Sequence, residues 1–277
     1  MKNKINLNNV TTGITHAGVF HADDVFSAAL LTTGNPAMEI KRVRVIPENI
    51  DESTTIVFDI GGGEFDHHFA NSPERENGIK YSSFGLLWKE FGEIFVKEKK
   101  NVKYFDEKFV QYIDDADNGG NYNPLTDTIS AFNPNWNESQ NFDTAFNKAV
   151  EFARVILARE FARINSAELA KTEVQSALDE SDTGIVVLKR FAPWQKILVP
   201  SDAKFVISPS PRGGYNAQCV PTKLGATDQK IPFPADWVGN KGIDGLLFCH
   251  PARFLINTAD LNSAIKLCQA VLTKEEK

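Results

Sequence analysis

Apolar residues in the first half of the chain recur with two different periods, one of strands and one of helices. Thr11 to His16 is a short β-leaning run. Asp23 to Leu31 follows, with Val25, Phe26, Ala29 and Leu30 on one helical face and Asp23 and Asp24 favouring the helix start. Ile40 to Ile46 (IKRVRVI) alternates as a strand does, and Pro47 ends it. Thr55 to Ile60 (TIVFDI) is a continuous apolar run closed by Gly61, Gly62 and Gly63, the pattern of a buried parallel strand. Ser82 to Val96 predicts a helix capped by Ser82 or Ser83. Phe105 to Ala116 predicts another, stopped at Asn118-Gly119-Gly120. Such alternation predicts an α/β fold, a parallel sheet with helices on both faces.

The pattern changes further along. Asp143 to Leu178 is a long Ala- and Glu-rich helical stretch whose length suggests a connector. Short β-rich runs then appear at Ile185–Leu188, Phe205–Ile207, Ala217–Val220, Leu246–Cys249 and Phe254–Ile256, and a last helix is expected from Ala259 to Leu272. The expected organisation is a domain over 1–140, a connector helix over 141–182 and a smaller α/β domain over 183–277. No internal repeat or low-complexity tract is visible.

Composition narrows the function. With 277 residues, 42% hydrophobic and 24% charged, the chain can bury a core without disulfide or metal staples. Its net charge of −6 argues against a broad basic surface for long duplex nucleic acid. Three cysteines, far apart and not in zinc-ligand spacing, read as reduced thiols. No run of eighteen apolar residues predicts a membrane span, and the polar start from Met1 to Asn9 lacks a targeting pattern. The expectation is a cytoplasmic protein with no membrane partner.

The histidines change the picture most. Four of the five, His16, His21, His67 and His68, fall near the ends of predicted strands. His16, His21 and Asp23 lie in THAGVFHADD, Asp59 ends TIVFDI, and Asp66-His67-His68 follows the glycine turn. Asp114, Asp115 and Asp117 close a later helix in IDDADNG. Open parallel sheets bind ligands outside the carboxyl ends of their strands, so separate segments deliver His and Asp to one edge. Imidazoles mixed with carboxylates suit Mn, Fe, Zn or Mg, often as a pair of ions. Asp59 is placed to bridge such a pair. For Asp24, Asp114 and Asp115 the competing reading is helix capping and termination.

The set THAGVFHADD, VFDIGGGEFDHH, YSSFGLLW and IDDADNG resembles the melanocyte-proliferating-gene family of predicted metal-dependent hydrolases, within the DHH phosphoesterase superfamily. FNPNWN, APWQ, QCVP and FCHPARF extend the resemblance over nearly the whole chain. It implies that His16 and His21 hold one ion, that Asp59 bridges, and that Asp23, His67 and Asp117 hold the second. His68 would contact substrate phosphate. Asp117 is preferred to Asp114 because Asp-Asn-Gly resembles the Asp-Thr-Gly of related phosphoesterases. His21 stands where many superfamily members carry Asp, which makes the site less anionic. The C-terminal part resembles a substrate-binding domain whose glycine- and histidine-rich loop corresponds to CHPARF, so His250 and Arg253 would reach a phosphate.

Further basic and polar residues are candidates for substrate contact. Arg42 and Arg44 lie two apart on one predicted strand and so share a face. Lys80, Ser82 and Ser83 open a helix whose N–H groups suit phosphate, although ordinary capping accounts for the serines too. Arg212-Gly213-Gly214 is a flexible basic loop, either substrate-facing or a plain turn. Trp136 and Trp194 are candidates for stacking on bases, weighed against ordinary packing.

The resulting expectation is a phosphoesterase with two divalent cations, manganese first and Mg, Zn, Fe or Co next. It would act as an exonuclease or phosphodiesterase on single-stranded RNA or short oligonucleotides, by metal-bridged hydroxide attack on phosphorus. The alternatives are a small-molecule phosphatase or pyrophosphatase, and a non-catalytic metal- or nucleotide-binding module.

Overall fold

A computed structural model describes residues 5–239 and 242–275. They form two units that divide between Asn165 and Ser166. In the first unit, β1 (Thr12–His16), β2 (Glu39–Val43) and β3 (Thr55–Val57) build a parallel sheet in the order β2-β1-β3. Between β1 and β2 runs α1 (Ala22–Gly34).

Both flanking strands are shorter than their apolar runs. Val43 pairs with His16, the last residue of β1, so the chain from Arg44 has no strand partner. β3 stops at Val57: Phe58 N still donates to Ile14 O at 2.9 Å, but Phe58 then bridges to Phe65 and Asp59 turns to φ +58°.

α1 is buried on nearly every side, as expected of an interior helix. α2 (Ser83–Phe95) packs on it, with Phe26 and Phe84 ring centroids 5.5 Å apart. The next helical run begins earlier than the pattern predicts. It comprises α3 (Lys99–Phe105), a π-helical turn (Asp106–Val110) and α4 (Gln111–Asp117). The polar lysines hid its start, although Asn101 and Phe105 are buried. α5 (Pro124–Ser130), too short to read from the pattern, is capped by the Asn123 side chain, which accepts from Leu125 N at 2.8 Å.

α6 (Phe142–Asp179) is the long helix, and the boundary between the units falls within it. Phe146, Ala149, Ala153, Leu157 and Phe161 recur every three or four residues and join the first unit's core.

The second unit contains β4 (Ile185–Val187), α7 (Gln195–Leu198), β5 (Phe205–Pro209), β6 (Tyr215–Cys219), β7 (Leu246–Cys249), β8 (Leu255–Thr258) and α8 (Leu261–Glu275). The sheet order is β4-β5-β6-β8-β7, with β4 and β5 parallel and the remaining pairs antiparallel. The chain is therefore an α/β protein. Among the described residues no helix is long and apolar enough to cross a membrane.

Candidate metal centre

The carboxyl end of β1 delivers His16, and the first turn of α1 delivers Asp23 and Asp24, both buried. Asp59 leaves β3 in the left-handed backbone region, sparsely populated by non-glycine residues. Gly61 and Gly62 also have positive φ, and they turn the chain back so that Asp66, His67 and His68 return to the same edge. The end of α4 adds Asp117.

The two oxygens of Asp59 face different histidines. Oδ2 lies 3.2 Å from His16 Nε2, and Oδ1 lies 3.3 Å from His67 Nε2. His16 Nε2 is also 3.2 Å from Asp24 Oδ2. His67 Nε2 lies 3.3 Å from Asp117 Oδ2 and 3.5 Å from Asp23 Oδ2. Three groups gather ligand atoms within 4.8 Å of one another: His16, Asp24 and Asp59; His21, Asp23 and Asp117; and Asp59, His67 and His68. These residues could hold a metal ion.

The donor set fits such an ion. Both oxygens of Asp23, one each of Asp24 and Asp59, and His67 Nε2 are buried without a well-directed hydrogen bond. Buried polar atoms are normally partnered, and a hard or borderline cation satisfies carboxylate oxygens and imidazole nitrogen together.

Crowding shapes the protonation states. Burial raises Asp23 to about 7, reinforced by the charge of Asp59. Burial likewise raises Asp24 to about 6 and Asp117 to about 8. At Asp59 burial works against ionisation, but contacts with His16 and His67 prevail and hold the carboxyl below its usual range. Contacts with Asp24 and then Asp59 raise His16 to about 10. Burial opposes the charge on His67, yet Asp23 and Asp59 carry it up to about 11. Without a cation, the cluster thus keeps positive charge on its histidines. A divalent ion competes with those protons for the same lone pairs.

Neighbouring residues fix this geometry. Asp66 accepts from Gly62 N at 2.6 Å and from His68 N at 3.1 Å, and its Oδ1 lies 2.8 Å from His68 Nδ1. Asp114 is fully buried and not part of the cluster. It accepts from Ser82 Oγ at 2.6 Å, Gly85 N at 3.1 Å and Arg75 Nη2 at 2.7 Å. This network ties α4 to α2 and the preceding loop. Asn133 clamps the loop before His21, accepting from Phe20 N at 3.1 Å and donating to Phe20 O at 2.9 Å.

The remaining candidates take these positions. Asp24 is both cap and cluster member, since its Oδ1 accepts from His21 N at 3.0 Å while Oδ2 faces His16. His16 groups with Asp24 and Asp59, whereas His21 groups with Asp23 and Asp117. The hydroxyls of Ser82 and Ser83 are buried and engaged inside, the latter 3.0 Å from Ser27 Oγ, so they cannot face a phosphate. Arg42 is also engaged, donating to Asp143 Oδ1 at 3.0 Å and Gly18 O at 2.8 Å, with its guanidinium 4.5 Å from the Phe146 ring centroid. Arg44 lies past the end of β2, so the two arginines do not share a strand face. Arg44 and Lys80 are exposed, as is His68, whose side chain is 61% accessible.

In the second unit, His250 Nδ1 accepts from Ala252 N at 3.0 Å, and Arg253 has φ +59°. His250 and Arg212 help line a 540 Å³ cavity with Phe248. Trp194 is buried and its Nε1 donates to Gln218 Oε1 at 3.2 Å, so it packs. Trp136 is exposed.

Sequence reasoning missed Arg75 and Gly85. Arg75 lies in a polar loop with no periodic signal. Gly85 had one signal, a glycine inside a helical pattern, which often marks close approach of another element.

Fold and site together define an α/β protein with a His- and Asp-rich candidate metal centre at a parallel sheet's carboxyl edge. Residues 12–272 match the family described as Uncharacterised protein family (UPF0160), whose model is labelled MYG1_exonuc. The chain belongs to this MYG1 family. It is 25% identical to the MYG1 protein of Dictyostelium discoideum, with 95% of this chain and 97% of that protein covered. It is 24% identical to MYG1 protein C694.04c of Schizosaccharomyces pombe, covering 96% and 98%. A Chlamydia pneumoniae MYG1 protein is 27% identical over 87% of this chain and 89% of its own length. No solved structure matches the chain.

Proposed function

We propose that this protein is a metal-dependent phosphoesterase of the DHH superfamily, an exonuclease or phosphodiesterase acting on RNA or short oligonucleotides. It would use two divalent cations, with manganese first and Mg, Zn, Fe or Co next. The observation that carries the reading is Asp59, whose two oxygens face two different histidines amid buried oxygens without a well-directed hydrogen bond. The exonuclease wording in the family model's label supports it.

Bound cations would polarise the phosphoryl group and lower the pKa of the attacking water. Asp59 would serve both ions, one together with His16 and Asp24 and the other together with His67, Asp23 and Asp117, beside which His21 stands. Asp66 braces His68 through Nδ1, which leaves Nε2 for a substrate phosphate oxygen. Arg44 and Lys80, both exposed, remain candidates for further phosphate contacts. Direct attack by water, without a covalent enzyme intermediate, agrees with the cysteines. All three are buried, and burial pushes the Cys219 thiol up to about 12.

Single-stranded RNA, DNA, dinucleotides and pyrophosphate, each with Mn, Mg or Co, test the proposal. Wild type should cleave oligonucleotides, and Asp59→Ala and His67→Ala should each lose more than ~100-fold, beyond the usual cost of an outer-shell contact. Equal activity in wild type and Asp59→Ala would sink the mechanism. Turnover of pyrophosphate alone would move the substrate class to small molecules.

A further inference from the structure

Trp136 is 93% exposed, while Trp88, Trp194 and Trp237 are buried. A tryptophan normally buries most of its large ring, so packing does not explain this one. Its loop is nevertheless well braced. Asn135 N donates to Glu138 Oε2 at 2.7 Å, and Gln140 Nε2 donates to the carbonyls of Asn135 and Glu138 at 2.8 and 2.9 Å. At its start, Asn133 is tied to both backbone groups of Phe20, the residue before His21. Three residues of fully extended chain span at most about 11 Å, so Trp136 cannot lie far from the loop that carries His21.

We propose that Trp136 is a stacking platform for a nucleobase of a single-stranded nucleic acid whose phosphate sits at the metal centre. The proposal rests on the phosphoesterase reading above and assigns a substrate-positioning residue beside that site. Every other residue from Asn133 to Asn141 is polar or proline. The loop therefore lacks the apolar surround that a protein partner's core contact requires. Base stacking needs only one open π face, and it tolerates any base. The loop carries a single carboxylate, Glu138, and it is held by Asn135 N. The braced backbone around Trp136 limits how much chain binding a strand must order.

The test uses the full chain and a uridine hexanucleotide, first with chelator and again with calcium. Because only Trp136 is exposed among the four tryptophans, its emission reports contact selectively. Wild type should bind, with quenching of the long-wavelength emission. By anisotropy of a labelled hexanucleotide, Trp136→Ala should weaken Kd about five- to 150-fold, the range for one stacked base, and Trp136→Phe should restore most of it. No binding by wild type in either condition, an unquenched indole, or equal Kd in Trp136→Ala would each overturn the platform. Quenched, Trp136-dependent binding without hydrolysis under any cation would instead sink the phosphoesterase reading and leave the platform standing.

Discussion

Asp24 performs two tasks with one carboxylate. Its Oδ1 accepts from His21 N and so shapes the start of α1, while Oδ2 lies 3.2 Å from His16 Nε2. Substitution separates the tasks. Asp24→Asn keeps an oxygen for the cap and loses the charge, so stability should change by no more than about 1 kcal/mol. Its manganese affinity, read by titration, should fall at least ~10-fold. Asp24→Ala should lose both. Manganese binding by Asp24→Asn equal to wild type would reduce Asp24 to a cap alone. The same double duty explains why the residue is ambiguous in sequence, since an acid in the first turn of a helix is ordinary.

The contact between α2 and α4 fixes where Asp117 stands. Gly85 sits against the Asp114 carboxylate, and a β-carbon there would overlap it and crowd Arg75 Nη2. Asp114 cannot retreat, because Ser82, Gly85 and Arg75 all converge on it. Gly85→Ala therefore wedges the helices apart, although alanine is the better helix former. It should cost roughly 2–3 kcal/mol, seen as a fall in Tm of about 4–12 °C, and should weaken metal binding through Asp117. An unchanged or raised Tm would show that the packing relaxes freely. The π-helical turn between α3 and α4 belongs to the same network, since Asp106 at its start receives Arg75 Nε at 3.0 Å.

For the whole molecule, the cluster couples stability to pH and metal. His16 and His67 hold their protons more tightly folded than unfolded, with pKa values of about 10 and about 11 against an ordinary value near 6.5. Their contribution is complete below about 6.5 and is lost as pH rises towards those folded values. Asp23 and Asp117, raised to about 7 and about 8, act in the same direction over a lower range. Asp59, held low, contributes in the opposite sense only in acid. The chelated protein should thus be less stable at pH 9 than at pH 6. Manganese at ~100 times its Kd at pH 6 should add about 2.7 kcal/mol there, a rise in Tm of about 5–10 °C, and the same manganese concentration should add more at pH 9, where fewer protons compete. Thermal scans with and without chelator check this. A chelated protein equally stable at both pH values would contradict the pairing of His16 and His67 with the carboxylates. The net charge of −6 takes on a local meaning as well, because four of the acids form this cluster and bound cations would reverse the field there.

The α/β class, most of the longer elements and the arrival of His16, His21, Asp59 and His67 near strand ends were legible in the chain. Hydrophobic period and glycine turns are local properties, and they set the order in which side chains reach one edge of a parallel sheet. What required the folded molecule was how those side chains combine. β2 and β3 end where their pairing with β1 runs out, which their apolar runs do not reveal. Arg42, Ser82 and Ser83 look available in sequence, but each is engaged by groups distant along the chain, Asp143, Asp114 and Ser27. Asp24 joins His16, and Asp114 turns from the cluster to Arg75, although both are acids in similar helical settings. Burial and the partner across the interior decide which carboxylate stays free for a cation, and neither is a property of local sequence.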